Sequence, residues 1–477
     1  MTLSNTINIK HRSRVLYMLI SIALPLLTSV LILLYLESNI VYGGGLTLND
    51  LPIINDSTLK VELIYEGNFS VQPGQSSPVS TMTFLGSDIL ILSKNDGAIY
   101  RIRNGTILDE PLRDVNVANK RERGLLGIAA SKTTEANAEY IFVYYTESKK
   151  MDGTDVCPKT YFCEPGTQPI GNVVYRYELS IKDNDTKLGT PKLLLTLPAN
   201  PGPSHAGGVL KIGPDNNLYT TIGDLGGSVN KSSSTKAQNF RNGTEPDGRG
   251  GILRITQEGQ VVGHGIIGNT YPLNLYYAYG IRNSFGIDFD PLTGNLWDTE
   301  NGPDYGDEIN LVEPGFNSGW QKVQGIWKPK YDPERGGDLI AGEELLNSDR
   351  KELVDFNGKG IYSAPEFTWN QTVGPTAIKF LDSDKLGKQY ENDLFVGDNN
   401  FGNIYHFDLS KDRRELSLGN VLKDKIANNH TELQDIIFGQ WFDGITDLDV
   451  GPDGFLYILS RKGENVYIYR IVPKDFV

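Results

Sequence analysis

The sequence predicts an all-β protein, a six-bladed β-propeller, set behind an N-terminal transmembrane helix. Three observations carry this expectation: an uncharged run of 22 residues near the start, a β-hairpin pattern that recurs six times, and a scarcity of long helical patterns from about residue 60 onward.

The uncharged run, "VLYMLISIALPLLTSVLILLYL" at 15–36, follows Lys10, His11, Arg12 and Arg14. At 1.5 Å per residue a helix of this length reaches about 33 Å, enough to cross the hydrocarbon core of a bilayer. It is longer than the apolar core of a secretory signal, and "ESNIVYGGG" after it is a poor cleavage site. The basic flank predicts a cytoplasmic tail at 1–14 and an outward-facing C-terminal domain, so a single-pass protein of the cell membrane. Residues 37–60 read as a linker and 61–475 as the propeller. Cys157 and Cys163, in "CPKTYFC", are the only cysteines and stand close enough to bridge in an oxidising compartment. Asn-x-Ser/Thr acceptors for glycosylation occur at Asn55, Asn68, Asn104, Asn184, Asn230, Asn242, Asn370 and Asn429.

The recurring pattern is an apolar run, a Gly/Pro/Asp turn and a second apolar-aromatic run. It is clear in "MTFLGSDILILSKNDGAIYRI" (82–102), "LKIGPDNNLYTTIGD" (210–224), "IDFDPLTGNLWDTENG" (287–302) and "LDVGPDGFLYILSRKGENVYIYRI" (448–471). More divergent copies lie at 124–147 and 377–407. Each copy reads as antiparallel strands of period two. A unit of that size cannot bury both faces alone, so spaced copies imply stacked blades. Insertions at 148–172, 226–250 and 322–360 read as long loops on one end of the ring, where function usually sits. The alternative fold, a pair of β-sandwiches, requires a linker that is absent after residue 60.

With 45 basic against 59 acidic residues the chain carries a net charge of −14. This excludes nucleic acid as the expected partner, since phosphate contacts need clustered Lys and Arg. It accords with cation binding. Candidate chemistry concentrates in two places. His205, one of five histidines, stands at the mouth of one β-unit in "PSHAGGVLKIGPDNNLYTTIGDLGG". Arg282 and Asn283 precede another unit, and "ENGPDYGDE" (300–308) follows its second strand. A Gly302-Pro303 backbone flanked by Glu300, Asp304, Asp307 and Glu308 offers the carbonyl and carboxylate oxygens that calcium takes. The same acidic residues are also ordinary turn formers, and an Arg-Asn pair or a loop histidine is by itself equally compatible with structural roles.

The segments "SHAGGVLKIGPDNNLYTTIGDLG", "YGIRNSFGIDFDPLTGNLW", "ENGPDYGDEINLVEPGFNSGW" and "RGLLGIA" together resemble the soluble quinoprotein glucose dehydrogenase and aldose sugar dehydrogenase family, the glucose/sorbosone dehydrogenase domain, over nearly all of 61–473. The resemblance implies a six-bladed propeller that oxidises the C1 hydroxyl of an aldose to the lactone, using pyrroloquinoline quinone and calcium and passing electrons to an external acceptor. By position it implies His205 as the base and Arg282 as a catalytic cation that also contacts the cofactor. It further implies Asn283 as a cofactor contact, Gly302 and Pro303 as carbonyl ligands of calcium, Glu122 near the sugar, and Glu308 as a ligand of a second calcium. The chain departs from the family at Ser204, where an acidic residue precedes the histidine in relatives. It departs again at Asn400, where a lysine is expected, and at Gly444 and Thr446, where two cofactor-pairing arginines are expected, while Asp447 is retained. Lys328, Lys330 and Arg335 of the long insertion are the candidates to replace those cations. The alternative function is a non-catalytic propeller that binds a partner and has lost the quinone. A calcium-dependent lactonase would need an axial set of carboxylate and Asn ligands that the sequence does not assign.

Overall fold

The strands that the repeat pattern anticipates begin with the same device at two well-separated places. In "GPDNNLY" and "GPDGFLY" the chain reverses through a Gly-Pro-Asp turn. Asp215 Oδ1 accepts the backbone N–H of Asn217 at 3.1 Å, and its Oδ2 accepts the Tyr219 hydroxyl at 2.9 Å. Asp453 repeats both bonds, with Phe455 N–H at 3.3 Å and Tyr457 OH at 2.9 Å. An arginine from a neighbouring strand completes each set, Arg254 at 3.3 Å and Arg470 at 2.8 Å. One carboxylate thus fixes the turn and ties it to the next strand.

The computed structural model describes residues 51–71, 74–131, 140–148, 169–182, 185–226, 234–335 and 338–476. The apolar run at 15–36, the tail before it, Cys157, Cys163, Asn184 and Asn230 lie outside the described residues. Among the described residues no helix is long and apolar enough to cross a membrane. Pro52–Val477 forms one compact unit, and its fold is an all-β propeller.

Five blades take their main strands in order along the chain. They open with the strands Val79–Leu85, Leu125–Ala130, Leu210–Ile212, Ser284–Phe289 and Pro375–Phe380. A further four-stranded sheet joins the two ends of the domain, pairing Leu59–Asn68 with Asn465–Pro473 beside Leu456–Lys462 and Gly444–Val450. Strand pairing begins earlier than the expected boundary at residue 61, since Ile53–Ile54 already pairs with Ile437–Gln440. The opening strands, together with Gly444–Val450, neighbour one another in a closed cycle. The insertion expected as a loop at 322–360 carries an antiparallel ribbon, Trp327–Asp332 with Asp338–Glu344.

Strict period-two alternation does not hold in the second strand of each sheet. Asp88–Ser93, Leu218–Ile222, Leu296–Glu300 and Leu394–Asp398 are buried at every position. The reason is that a blade packs against a neighbour on both faces, so both sets of side chains are covered. Phe142 and Tyr144 of one sheet pack with Leu210, Leu218 and Leu253 of the next. Trp297 and Ile309 do the same with Phe380, Leu394 and Tyr405. Each such side chain contributes about 1.5–3 kcal/mol through burial. Across the seam between first and last sheets, Asp447 accepts the Thr81 hydroxyl and, at 2.9 Å, the Met82 N–H. Burial raises its carboxyl pKa to about 6.

Replacing Asp453 by Ala removes the acceptor for Phe455, Tyr457 and Arg470 together. We expect a loss of about 1–3 kcal/mol in unfolding free energy, read as a lower urea midpoint at unchanged slope. An unchanged midpoint would show that the turn holds itself.

Candidate active site

A cavity of about 1320 Å³ is lined by Thr81, Leu126, Leu210, Ile287, Ile378 and Thr446, one residue from each strand of the inner cycle. It therefore lies on the axis of the ring. His205, Glu122, Arg282, Asn283, Gly302 and Pro303 all line it. Residues separated by as many as 181 positions along the chain are thus gathered in one place.

His205 precedes the strand Leu210–Ile212 and holds a positive φ of 60°. Its backbone N–H donates to Glu122 Oε2 at 2.7 Å, and the same oxygen accepts Asn283 Nδ2 at 3.1 Å. One carboxylate thereby ties three sheets' worth of candidate residues together. The chain approaches closely behind the histidine: a Cβ at Gly223 would lie 2.4 Å from the Arg282 carbonyl and 2.6 Å from that of His205. Only glycine fits there.

The imidazole is held by a residue that sequence reasoning quoted but did not assign. His205 Nδ1 lies 2.6 Å from Asp224 Oδ1. Asp224 is fully buried and also accepts Gly226 N–H at 2.7 Å and Trp320 Nε1–H at 2.8 Å. Burial opposes ionisation of Asp224, but the charge and hydrogen bond of His205, the Arg282 charge and the Trp320 N–H outweigh it. The net shift is below the usual carboxylate value. An ionised Asp224 can only accept, so Nδ1 carries the proton and Nε2 is left as an acceptor. The signal that pointed to it is the Gly-Asp pair closing the strand Leu218–Ile222.

Arg282 is fixed from both ends. Its N–H donates to Glu300 Oε1 at 2.6 Å, its Nη1 donates to the Asn301 carbonyl at 2.6 Å, and the guanidinium lies 5.5 Å from the Trp320 ring centre. Its Nε and the Oδ1 of Asn283 are buried without a partner. Gly302 is held by its N–H to Asp307 Oδ1 at 2.8 Å. Among the described residues no hydrogen bond ends on the carbonyl oxygen of Gly302 or Pro303.

Glu308 lies elsewhere, in the strand Asp307–Val312 directly opposite Glu300. Its oxygens accept from Asn310 Nδ2, Ser318 Oγ, Gln324 Nε2 and Gly325 N–H. Beside these donors, Asn310 Oδ1, Gln324 Oε1 and both carboxyl oxygens of Asp298 are buried without a partner. The Ser318 hydroxyl also contacts Glu300 Oε2 at 2.7 Å. A hydroxyl has one proton to give, so Ser318 can donate to only one of the two carboxyls at a time. Both pKa values are raised, by burial first, with Glu308 and then Asp298 adding repulsion at Glu300.

The sequence of residues 76–470 matches the family model described as Glucose / Sorbosone dehydrogenase. The chain belongs to the glucose/sorbosone dehydrogenase family. It is 33% identical to quinoprotein glucose dehydrogenase B of Acinetobacter calcoaceticus over 281 residues, 55% of this chain and 53% of that protein. It is 28% identical to aldose sugar dehydrogenase YliI of Escherichia coli over 232 residues, 48% of this chain and 52% of that protein. The chain thus spans about half the length of these two relatives. In fold it is similar to the soluble aldose sugar dehydrogenase of Escherichia coli in its apo-form, with a TM-score of 0.62 and 20% identity over 87% of this chain and all of that one. The PQQ-bound aldose sugar dehydrogenase of Streptomyces coelicolor gives 0.52 at 18% identity, over 88% of this chain and all of that one.

For a member of this family the polar lining matters most. Lys94, Arg282 and Arg461 face the cavity with no carboxylate in ion-pair range among the described residues, and Arg282 Nε, Asn283 Oδ1 and Arg461 Nε are unsatisfied. That set suits a flat, polyanionic group with carbonyl and carboxylate oxygens, the chemistry of pyrroloquinoline quinone. The expected replacement cations are elsewhere: Lys328 pairs with Asp349 at 2.5 Å on the ribbon, and neither it nor Lys330 lines the cavity. The side chain of Arg335 lies outside the described residues. Asn400 and Thr446 do line the cavity.

The Glu300–Glu308 pair gives a pH test with a definite sign. Both groups ionise later in the folded chain than in the unfolded one. From about pH 5 to 8 the unfolded state therefore binds fewer protons, and stability falls as pH rises. Glu300→Gln keeps the Ser318 contact and removes the repulsion. Its urea midpoint should gain on the wild type steadily between pH 5 and pH 8; a constant difference would show that the two carboxyls do not interact.

Proposed function

We propose that this chain is an outward-facing quinoprotein aldose dehydrogenase that oxidises the C1 hydroxyl of a sugar to the lactone and hands the electrons to an external acceptor. The observation that carries the proposal is the His205–Asp224 pair, set on the cavity wall beside Glu122, Asn283 and Arg282. A propeller that merely binds a partner has no use for a buried carboxylate fixing the tautomer of a cavity histidine. The six sheets, taken as six blades with Gly444–Val450 as the last inner strand, make the cavity the single axial site.

When bound, pyrroloquinoline quinone supplies the two-electron oxidation at the sugar carbon. The residues of the chain do the rest. His205 accepts the hydroxyl proton at Nε2, and Asp224 stabilises the imidazolium so formed and keeps the ring in place. Arg282 places a fixed positive charge where negative charge develops, without reorganisation, because Glu300, Asn301 and Trp320 already hold it. Asn283 contacts the cofactor, and Glu122 positions the sugar through the network it shares with His205. The free carbonyls of Gly302 and Pro303 are the ligands for a calcium ion that acts as Lewis acid. Glu308, expected at a second, structural calcium, does not line the axial cavity. The uncharged run at 15–36 and its basic flank support a single-pass anchor with the sugar site outside the cell.

The test is acceptor reduction by the full chain loaded with the quinone and calcium, across a panel of aldoses. His205→Ala should lower the maximal rate about 10²–10⁴-fold while quinone binding persists, and a calcium chelator should abolish turnover reversibly. Saturable quinone binding with no aldose turnover in the wild type would favour the binding-module alternative.

A further inference from the structure

We infer that Lys94 and Arg461 form a dedicated carboxylate-binding end of the axial cavity, standing in for the cations absent at Asn400, Gly444 and Thr446. This deepens the proposed quinoprotein function and rests on it for the identity of the anion.

Arg461 belongs to Leu456–Lys462, and in the antiparallel pairing it stands directly opposite Gly444. A family cation is expected at position 444, and the chain places one on the adjacent strand instead. The exchange is sterically coupled. A Cβ at Gly444 would lie 2.9 Å from Asn399 Oδ1, and that oxygen is the acceptor that holds Arg461 Nη2, at 2.9 Å. A long side chain at 444 and the Asn399–Arg461 contact therefore compete for the same space. Glycine at 444 is what lets arginine at 461 reach the cavity wall.

Lys94 comes from the other side of the ring closure, just after the strand Asp88–Ser93. It is buried, and Nζ donates to the Arg121 carbonyl at 2.6 Å, with Asn95 Oδ1 at 3.5 Å. Neither cation has a carboxylate within ion-pair distance among the described residues. The other cavity lysines differ: Lys379 is paired with Asp288 and Asp449 at 3.4 Å each, and Lys211 lies 3.9 Å from Asp288. Burial, opposed by Glu122 and reinforced by the Arg461 charge, lowers the Lys94 pKa to about 7. Burial also lowers that of Arg461. A buried and a half-buried like charge that sense each other across one cavity wall are costly when unpaired and are relieved by an anion placed between them. The unpartnered Nε of Arg461 beside its remaining Nη group gives the fork geometry that matches a carboxylate. The anion end thus sits at the first and last blades, while His205, Asn283 and Arg282 occupy the wall built by the third and fourth.

The experiment is equilibrium dialysis of the full chain, calcium-saturated, with pyrroloquinoline quinone and separately with benzene-1,3,5-tricarboxylate. The variants are Arg461→Ala, Arg461→Lys and Lys94→Met, with Lys330→Ala as a control on the ribbon. Folding of each is checked by its urea midpoint. Arg461→Ala and Lys94→Met should each weaken quinone binding about ten- to a hundred-fold, Arg461→Lys should weaken it less, and Lys330→Ala should leave it unchanged. If the wild type binds the quinone and Arg461→Ala and Lys94→Met bind it equally well, the anion end is disproved while the quinoprotein function stands. If the wild type ignores the quinone but binds the tricarboxylate in a manner that Arg461→Ala abolishes, the anion end stands and the quinone assignment falls. If it binds neither, the anion end is overturned as well.

Discussion

The strand that closes the ring is the constraint on which everything else depends. Leu59–Asn68 pairs along its length with Asn465–Pro473, so the start of the domain is stitched into its last sheet. Without that pairing the inner strands have no reason to converge, and the cavity has no wall between Asp447 and Thr81. Closure also explains why second strands are buried on both faces: in a ring every blade has two neighbours, and no edge of the core is left to solvent. The hydrophobic gain is spread around the whole ring. The axis is then free to be polar, because the core does not depend on it.

That freedom is used asymmetrically. On the wall formed by the third and fourth blades, most polar groups are held by other groups of the chain, although Arg282 Nε and Asn283 Oδ1 stay unpartnered. Asp224 answers His205, Glu122 bridges His205 and Asn283, and Glu300 holds the backbone of Arg282. Each of these groups is held by a carboxylate that accepts more than one bond within the chain. On the wall formed by the first and last blades the opposite holds. Lys94, buried, and Arg461, half-buried, have only carbonyl and amide partners among the described residues. One side of the cavity is preorganised in itself, and the other is completed only by what it binds.

Much of this was legible in the sequence and some was not, for physical reasons. The repeats declared the propeller because each carries its own turn chemistry, as Asp215 and Asp453 show, and local chemistry is written locally. His205, Arg282, Asn283, Gly302, Pro303 and Glu122 were found through motifs, and the structure brings all six to one cavity. Glu308, expected from the same acidic run as a ligand of a second calcium, stands apart from the axial cavity, buried among Asn310, Ser318, Gln324 and Gly325. Asp224 was visible as a strand-ending Gly-Asp and carried no mark of its partner. The insertion lysines were plausible as free cations only while Asp349 was unseen beside Lys328.

The two departures that weighed most against the family's chemistry have one explanation. Compared position by position along the chain, a carboxylate expected from the resemblance is absent at Ser204 and a cation is absent at Gly444. In space both charges are present: Asp224 reaches His205 from the end of the adjacent strand, and Arg461 stands across a strand pair from Gly444. Antiparallel pairing sets Arg461, 17 positions on, directly opposite Gly444, and Asp224 meets His205 from the loop that follows Leu218–Ile222. A motif compared position by position reports this as loss. The appropriate comparison is the potential on the cavity wall, where this chain sets a histidine against a buried carboxylate and places Lys94 and Arg461 without a carboxylate partner among the described residues.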